Sequence, residues 1–387
     1  METMSSRFSA ERIRTKTQPA GDGLLLTVVL LLIGIGLVTL FSASYYYGEL
    51  KFDDPLYFFR RQIILVLFGL LLGFVASRLP VEMLKKIAPT VVIVSLFLTM
   101  ATFIPGIGQE IMGAKRWIYV FGYSFQPSEL AKLALILYLS YIFSKKEDRL
   151  HDFINSIFPP LLVVFLFVGL IYLQNDFSTA FFVFFLALMM FFIANIRFIY
   201  FLFLSSVGLP LAGILLFTKE HRVQRLIAFL DPEKDPIGAS FQINAARDGL
   251  IRGGLWGTGM GEGAKKLGGL PEAHSDFVFA VLGEEMGFLG VLFVIVVLVF
   301  FAYRGYAIAF HSKETFSYFL SFGLTSCILY QALLNIAVVS GLVPATGIPL
   351  PFFSSGGSSI VMTLIMCGIV LGLSRQNEGI RSTGYYE

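Results

Sequence analysis

The sequence predicts an all-α polytopic membrane protein with about ten transmembrane helices and a large extracytoplasmic loop before the eighth helix. Three observations point there. Hydrophobic residues make up 56% of the 387 and charged residues only 14%, where a soluble domain carries roughly 25% charge. Mean hydropathy is +0.78, more apolar surface than a water-soluble fold can hide. Apolar runs of spanning length recur along the whole chain, and in hydrocarbon each must close its own backbone hydrogen bonds, which makes it a helix.

The runs fall at about 24–46, 61–79, 87–104, 126–143, 156–173, 177–194, 197–218, 277–303, 315–341 and 352–374. The segment Met1 to Asp22 is polar and carries Arg7, Arg12, Arg14 and Lys16. The run after it is too long for a signal-peptide core and lacks a convincing small-residue cleavage site, so it reads as an uncleaved first helix. With the N-terminus inside, fifteen Lys and Arg residues face the cytoplasm and five occupy the short outer loops; the long segment 219–276 holds eight more. Long loops cross largely regardless of charge, so the short loops decide, and both termini are expected in the cytoplasm. No internal repeat is visible, including the inverted repeats of secondary transporters.

Other classes are excluded early. A net charge of +3 is too small for nucleic-acid binding. Cys327 and Cys367 lie inside apolar runs as packing residues, and four scattered histidines make no metal cluster.

Ionisable residues in or beside spans are costly and therefore functional candidates; here they gather on the outer side. Gly113-Ala114-Lys115-Arg116-Trp117-Ile118 precedes the fourth span. Paired cations suit phosphate and a tryptophan can stack on a sugar, but interfacial anchoring explains the same residues. Gln126 to Lys132 opens that span with Pro127 in its first turn, and Glu129 and Lys132 share one helix face, as a working pair or a self-neutralising one. Asp176, in the turn Gln174-Asn175-Asp176, is a candidate ligand or a helix cap. Arg222 and Arg225 begin the long segment, where forked hydrogen bonds suit a pyrophosphate or a lipid headgroup.

The same segment holds eight glycines between Gly253 and Gly269, followed in part by Lys265. Closely spaced glycines let N–H groups converge on an anion, or provide a hinge; no Walker pattern follows. The segment reads as amphipathic and partly re-entrant. His274 and Asp276 lead into the eighth span, where the helix dipole favours a carboxylate that can act as general base or merely cap the helix. Glu284 and Glu285 follow about two turns deeper. Gln331 and Asn335 are four apart and imply an interior polar face. Pro349, Pro351, Gly356, Gly357 and Ser358 precede the last span, and irregular backbone at that depth needs protein cover or a water-lined cavity. On the residues alone, an anionic lipid-linked substrate and a transport vestibule fit equally.

Taken together, Gly113–Ile118, Gln126–Lys132, Asp176–Ala180, Asp231–Gln242, Gly253–Gly261, Leu270–Glu285 and Thr346–Ser359 closely resemble the SEDS family (shape, elongation, division and sporulation), whose members include FtsW and RodA. Leu270–Ala280 and Asp231–Gln242 look more like FtsW, the division member. The resemblance implies a SEDS-type transmembrane domain over 23–375 between cytoplasmic tails 1–22 and 376–387. It implies a peptidoglycan glycosyltransferase of the bacterial inner membrane and septum that polymerises lipid II and releases undecaprenyl pyrophosphate, the alternatives being a RodA-type elongation polymerase, a lipid II flippase or a non-catalytic scaffold. The expected partners are lipid II, the nascent glycan, a class B penicillin-binding protein and other divisome membrane proteins. Asp276 matches the essential extracellular aspartate, Glu129 and Lys132 a functional polar pair, and Arg116 and Trp117 the outer-loop motif. Lys115, Asp176, Arg222, Arg225, Lys265, His274 and Ser358 complete the expected substrate site, with Mg²⁺ or another divalent cation as candidate counter-ion. The chain departs from the family pattern where Gln-Pro-Asp-Leu-Gly-Thr reads Gln174-Asn175-Asp176-Phe177-Ser178-Thr179, and where an aromatic is replaced by Ser355.

Overall fold

The computed structural model describes residues 21–111, 113–120, 122–150, 152–231, 239–264 and 273–383. Twelve α-helices and one small sheet run through them: α1 (Gly23–Phe52), α2 (Tyr57–Ser77), α3 (Val81–Ala101), β1 (Gly108–Ile111), β2 (Ala114–Val120), β3 (Tyr123–Phe125), α4 (Pro127–Lys145), α5 (Phe158–Leu173), α6 (Phe177–Ile193), α7 (Phe198–Leu216), α8 (Glu220–Leu230), α9 (Ala239–Gly253), α10 (Val278–Phe310), α11 (Thr315–Val339) and α12 (Gly357–Thr383). Among the described residues, eight helices are long and apolar enough to cross a membrane. The shorter α6 and the charge-bearing α4 fill the other two positions that the apolar runs predict.

One end of the bundle carries the sheet, and the other carries the start of α1 and the end of α12. Asp22 organises the latter. Its carboxylate caps α1 by accepting from Leu25 N (2.9 Å) and also accepts from Arg304 of α10 (2.5 Å), while its own N–H donates to Ser374 of α12 (2.9 Å). A capping acid satisfies an otherwise orphaned helix donor, and here it also ties three helices together.

The closest helix pair is α2 with α12. Gly69 of α2 packs on Val361 and Leu364 of α12 and Gly73 on Leu364 and Gly368, and a Cβ placed on Gly368 would stand 2.1 Å from the Gly73 carbonyl oxygen. Small residues on this spacing let membrane helices meet backbone to backbone. Gly368→Val is therefore expected to destabilise the protein by about 3 kcal/mol, read as a lowered unfolding temperature in detergent. Gly34→Ala, where nothing lies within 4 Å, is the control expected to leave that temperature unchanged or raised.

The sheet adds to the all-helical expectation. Its three antiparallel strands run in the order β1-β2-β3, with Gly113 (φ 75°) and Gly122 (φ 81°) in the turns. Along β2, buried Ala114 and Ile118 alternate with exposed Lys115 and Tyr119. That period of two, in a run of aromatic and β-branched residues between glycines, is the strand signal that the spans overshadowed.

The long segment folds into α8 and α9, and α9 packs along the first turns of α10. Its glycine-rich continuation, as far as residue 264, runs beside α10. Helix α10 is broken at Gly287 (φ 67°, ψ −169°), which strands backbone groups on both sides. The glycine loop takes them up: Thr258 N donates to Glu284 O (2.9 Å) and Gly259 N to Glu285 O (3.1 Å), while Phe288 N donates to Gly254 O (2.8 Å) and Leu289 N to Leu255 O (3.2 Å). The glycines are there because the two backbones approach closely; a Cβ on Gly287 would meet Gly257 N at 2.2 Å.

The last span begins at Gly357 rather than at 352, because Pro349, Pro351 and Phe352 (φ 71°) keep the preceding stretch irregular. That stretch, 347–356, folds back into the bundle and is covered by protein, as its depth requires. Its Pro349 carbonyl accepts from Gln331, eight residues before the end of α11, or about 12 Å along that helix.

Candidate active site at the sheet end

At the sheet end lies a cavity of about 880 Å³ with two distinct linings. Arg116 of β2, Lys219, and His221, Arg222 and Arg225 of α8 supply a basic mouth. Phe181, Phe182 and Phe185 of α6, Leu216 of α7, and Tyr330, Leu333 and Leu334 of α11 supply an apolar wall. A cationic mouth above an aromatic slot suits an amphiphile with an anionic head. On its open side α7 packs mainly along α6, and only Leu204 and Gly208 of it are buried.

Each mouth cation is positioned by the fold. Strand alternation turns Arg116 inward, between outward Lys115 and Trp117. There it pairs with Asp176 at 3.5 Å. Asp176 is 3% exposed; it also caps α6 through Thr179 N (3.2 Å) and accepts from Gln126 (3.3 Å). Arg222 donates to Leu215 O at the end of α7 (3.0 Å) and lies over the rings of Tyr172 and Phe177. It anchors α8 to α7 at least as much as it lines the cavity. Arg225 donates to Ala345 O (3.4 Å). Its accessible surface faces the cavity, and burial pushes its guanidinium pKa down, with Arg116 acting the same way; Asp276 and Asp176 oppose them. His221 is held below the usual imidazole range by partial burial and by Arg222, Arg225 and Lys219.

Asp276 sits in the turn that leads into α10, half-buried. It is not in the cavity wall but abuts its rim. Its Oδ2 would be 3.5 Å from a Cβ on Gly347 (φ 71°), and residues 343–346 just before that glycine form the wall. Asp276, Asp176, Arg116 and Arg225 thus share one electrostatic neighbourhood.

The other expected site residues have different surroundings. Lys132 is 1% exposed and sealed behind Phe182; its Nζ donates to Glu129 Oε1 (2.8 Å) and Gln331 Oε1 (2.6 Å). Neither it nor Glu129 reaches the cavity. Ser358 accepts from Gln126 N (2.8 Å) and donates to Ser124 O (3.2 Å), joining α12 to the start of α4. His274 is buried between Tyr47 and Phe58, ring centroids 4.7 and 4.5 Å away, and locks the α1–α2 hairpin to the turn before α10. Lys115 pairs loosely with Glu110 (3.8 Å) on the sheet face away from the cavity, the face Trp117 shares by alternation. Lys265 lies outside the described residues. The sequence reading missed Lys219 and His221. Arg222 and Arg225 share one face of α8 and Lys219 is its N-cap residue, three before Arg222, and that spacing of cations was the available signal. Among the described residues, no three His, Cys, Asp or Glu side chains converge to hold a metal ion.

The departure at Asn175 has a structural consequence. Asn175 takes φ 63°, and its Nδ2 donates to Gly113 O (2.8 Å), tying the α5–α6 turn to the sheet. Proline, locked near φ −65°, can adopt neither that conformation nor that bond. Asn175→Pro, the residue of the family pattern, is expected to destabilise this chain by about 2 kcal/mol, whereas Asn175→Gly should cost less. Thermal unfolding of the two variants checks the order.

Comparisons with known proteins agree with this architecture. A family model for FtsW, RodA and SpoVE, described as cell cycle protein, matches residues 22–379. The chain is 39% identical over 358 residues to a probable peptidoglycan glycosyltransferase FtsW from Geobacter sp. (strain M18), covering 92% of this chain and 98% of that one. It is 42% identical over 350 residues to the protein of the same name from Borreliella burgdorferi, covering 90% and 95%. It is 35% identical over 363 residues to stage V sporulation protein E of Bacillus subtilis, covering 94% and 99%. Among solved structures, it matches a chain of a peptidoglycan synthase complex that coordinates polymerization and crosslinking, at TM-score 0.76 and 28% identity, covering 92% and 98%. It matches the rod shape determining protein RodA of Thermus thermophilus at TM-score 0.68 and 28% identity, with the same coverage. The chain is thus an integral membrane protein and belongs to the SEDS family, that of FtsW, RodA and SpoVE.

Proposed function

We propose that this protein is a peptidoglycan glycosyltransferase that polymerises lipid II into glycan strands of the division wall and releases undecaprenyl pyrophosphate. The observation that carries the reading is one carboxylate, Asp276, at the rim of a cavity whose mouth is cationic and whose wall is apolar. The pyrophosphate of the growing chain lies against Arg116, Lys219 and Arg225, and its polyprenyl tail follows the phenylalanines of α6 toward the bilayer. Asp276 takes the proton from the 4-hydroxyl of the incoming lipid II as that oxygen attacks the anomeric carbon of the terminal MurNAc. The bond from that carbon to the pyrophosphate breaks, and the mouth cations offset the charge that develops on the leaving group. The glycosyl–pyrophosphate linkage that breaks supplies the driving energy, so no nucleotide is needed.

The Lys and Arg asymmetry supports an extracytoplasmic sheet end, with tails 1–22 and 376–387 in the cytoplasm. Relatives named FtsW at 39% and 42% identity support septal over side-wall synthesis. The match to a synthase complex supports a class B penicillin-binding protein as the crosslinking partner; other divisome membrane proteins are expected beside it. The test incubates the purified protein and that partner with labelled lipid II. Glycan ladders are expected from the wild type and none from Asp276→Ala. Ladders that persist unchanged in the variant overturn the assignment.

A further inference from the structure

Resting on that reading of Asp276, we infer that Asn335 of α11 is a positioning residue for the catalytic carboxylate. Its side chain is 2% exposed. Its Nδ2 donates to two carbonyl oxygens at once, that of Asp276 and that of Ile348, 2.9 Å each. The first belongs to the turn that carries the carboxylate. The second belongs to the re-entrant stretch, one residue after Gly347, over which the carboxylate lies. Among the described hydrogen bonds, Asn335 thus grips both walls of the place where the proton is taken.

The rest of the stretch is held in the same manner. Ser354 Oγ donates to Ser275 O (2.6 Å), so turn and stretch form one unit. Gln331, one helical turn before Asn335 and on its face, donates to Pro349 O (3.0 Å). Lys132 sets the orientation of that amide by donating to its oxygen (2.6 Å). The buried Glu129–Lys132 pair therefore reaches the reaction through α11, without touching the cavity. A carboxylate displaced by about 1 Å from the attacking hydroxyl costs on the order of a hundredfold in rate, and α11 supplies the rigid element that prevents it.

The experiment measures kcat and KM for lipid II polymerisation by the full chain with its transpeptidase partner. Asn335→Leu keeps the branched skeleton and removes the donor; Asn335→Gln keeps the donor. Asn335→Leu is expected to lower kcat by about a hundredfold with KM changed less than about threefold, because the cationic mouth is untouched. Asn335→Gln should recover much of that loss. In an Asp276→Glu background, whose carboxylate is already displaced, the leucine substitution should cost distinctly less than in the wild type. If Asn335→Leu does not fold, Asn335→Ala serves the same comparison. A leucine variant within about twofold of wild type, a loss carried by KM, or an equal loss in both backgrounds overturns the positioning role. Full activity in Asp276→Ala would overturn the base assignment and this inference together. Its loss there with normal Asn335→Leu would remove the inference alone.

Discussion

Asp276→Asn is expected to lower kcat for lipid II polymerisation by about a thousandfold, within the range general-base catalysis contributes. The substitution keeps the size of the side chain, and the turn's bonds to Asn335 and Ser354 come from backbone carbonyls, so the turn before α10 stays intact. What it removes is the capacity to accept a proton. Substrate still meets Arg116, Lys219 and Arg225, so KM should change little, the pattern of an interaction made only in the transition state. Asp276→Glu retains the carboxylate but shifts it by one methylene, and should fall between the two. The measurement is the steady-state rate of glycan formation with the partner present. A kcat within tenfold of wild type for Asp276→Asn would mean that another group takes the proton.

Lys132→Ala is expected to destabilise the protein by about 3–5 kcal/mol. Glu129 is 3% exposed, and its Oε2 already has no hydrogen-bond partner. Without the ammonium, a buried carboxylate and the Gln331 amide oxygen are both left unsatisfied, and the uncompensated charge dominates the cost. Replacing both members, as Glu129→Leu with Lys132→Met, should restore most of the unfolding temperature, because an apolar pair of similar volume carries no desolvation penalty. It should not restore activity, since Gln331 then loses the donor that orients it toward Pro349. Thermal unfolding in detergent beside the polymerisation assay separates the two effects. An unchanged unfolding temperature in Lys132→Ala, with activity lost, would instead place this lysine against substrate.

Ten spans were legible because hydrocarbon leaves a chain so few options. A run of about twenty apolar residues must be helical, and six of the ten helices begin and end within four residues of those runs, while α1, α3, α10 and α12 extend past them by six to nine residues at one end. The sheet was less legible, since its period-two pattern covers only a few residues between long apolar runs. The turn at Asn175 was marked by its departure from the family pattern, but its left-handed backbone and its bond to Gly113 follow from where the sheet lies.

The candidate site divides along the same line. Residue chemistry alone pointed to Arg116, Asp176, Arg225 and Asp276, because cations and carboxylates beside a membrane demand a reason. Composition and motif thereby determined the class of fold, the order of the spans and the kind of substrate worth considering. Tertiary structure decided which polar groups face the cavity. Lys132, Ser358 and His274 have the same chemistry as a binding residue, yet each is buried on a protein partner. Burial and partnering depend on residues about 200 or more positions apart, such as Lys132 with Gln331 or Gln126 with Ser358. Spacing along a chain reports the neighbours on one helix face; only packing of the helices reports what that face meets.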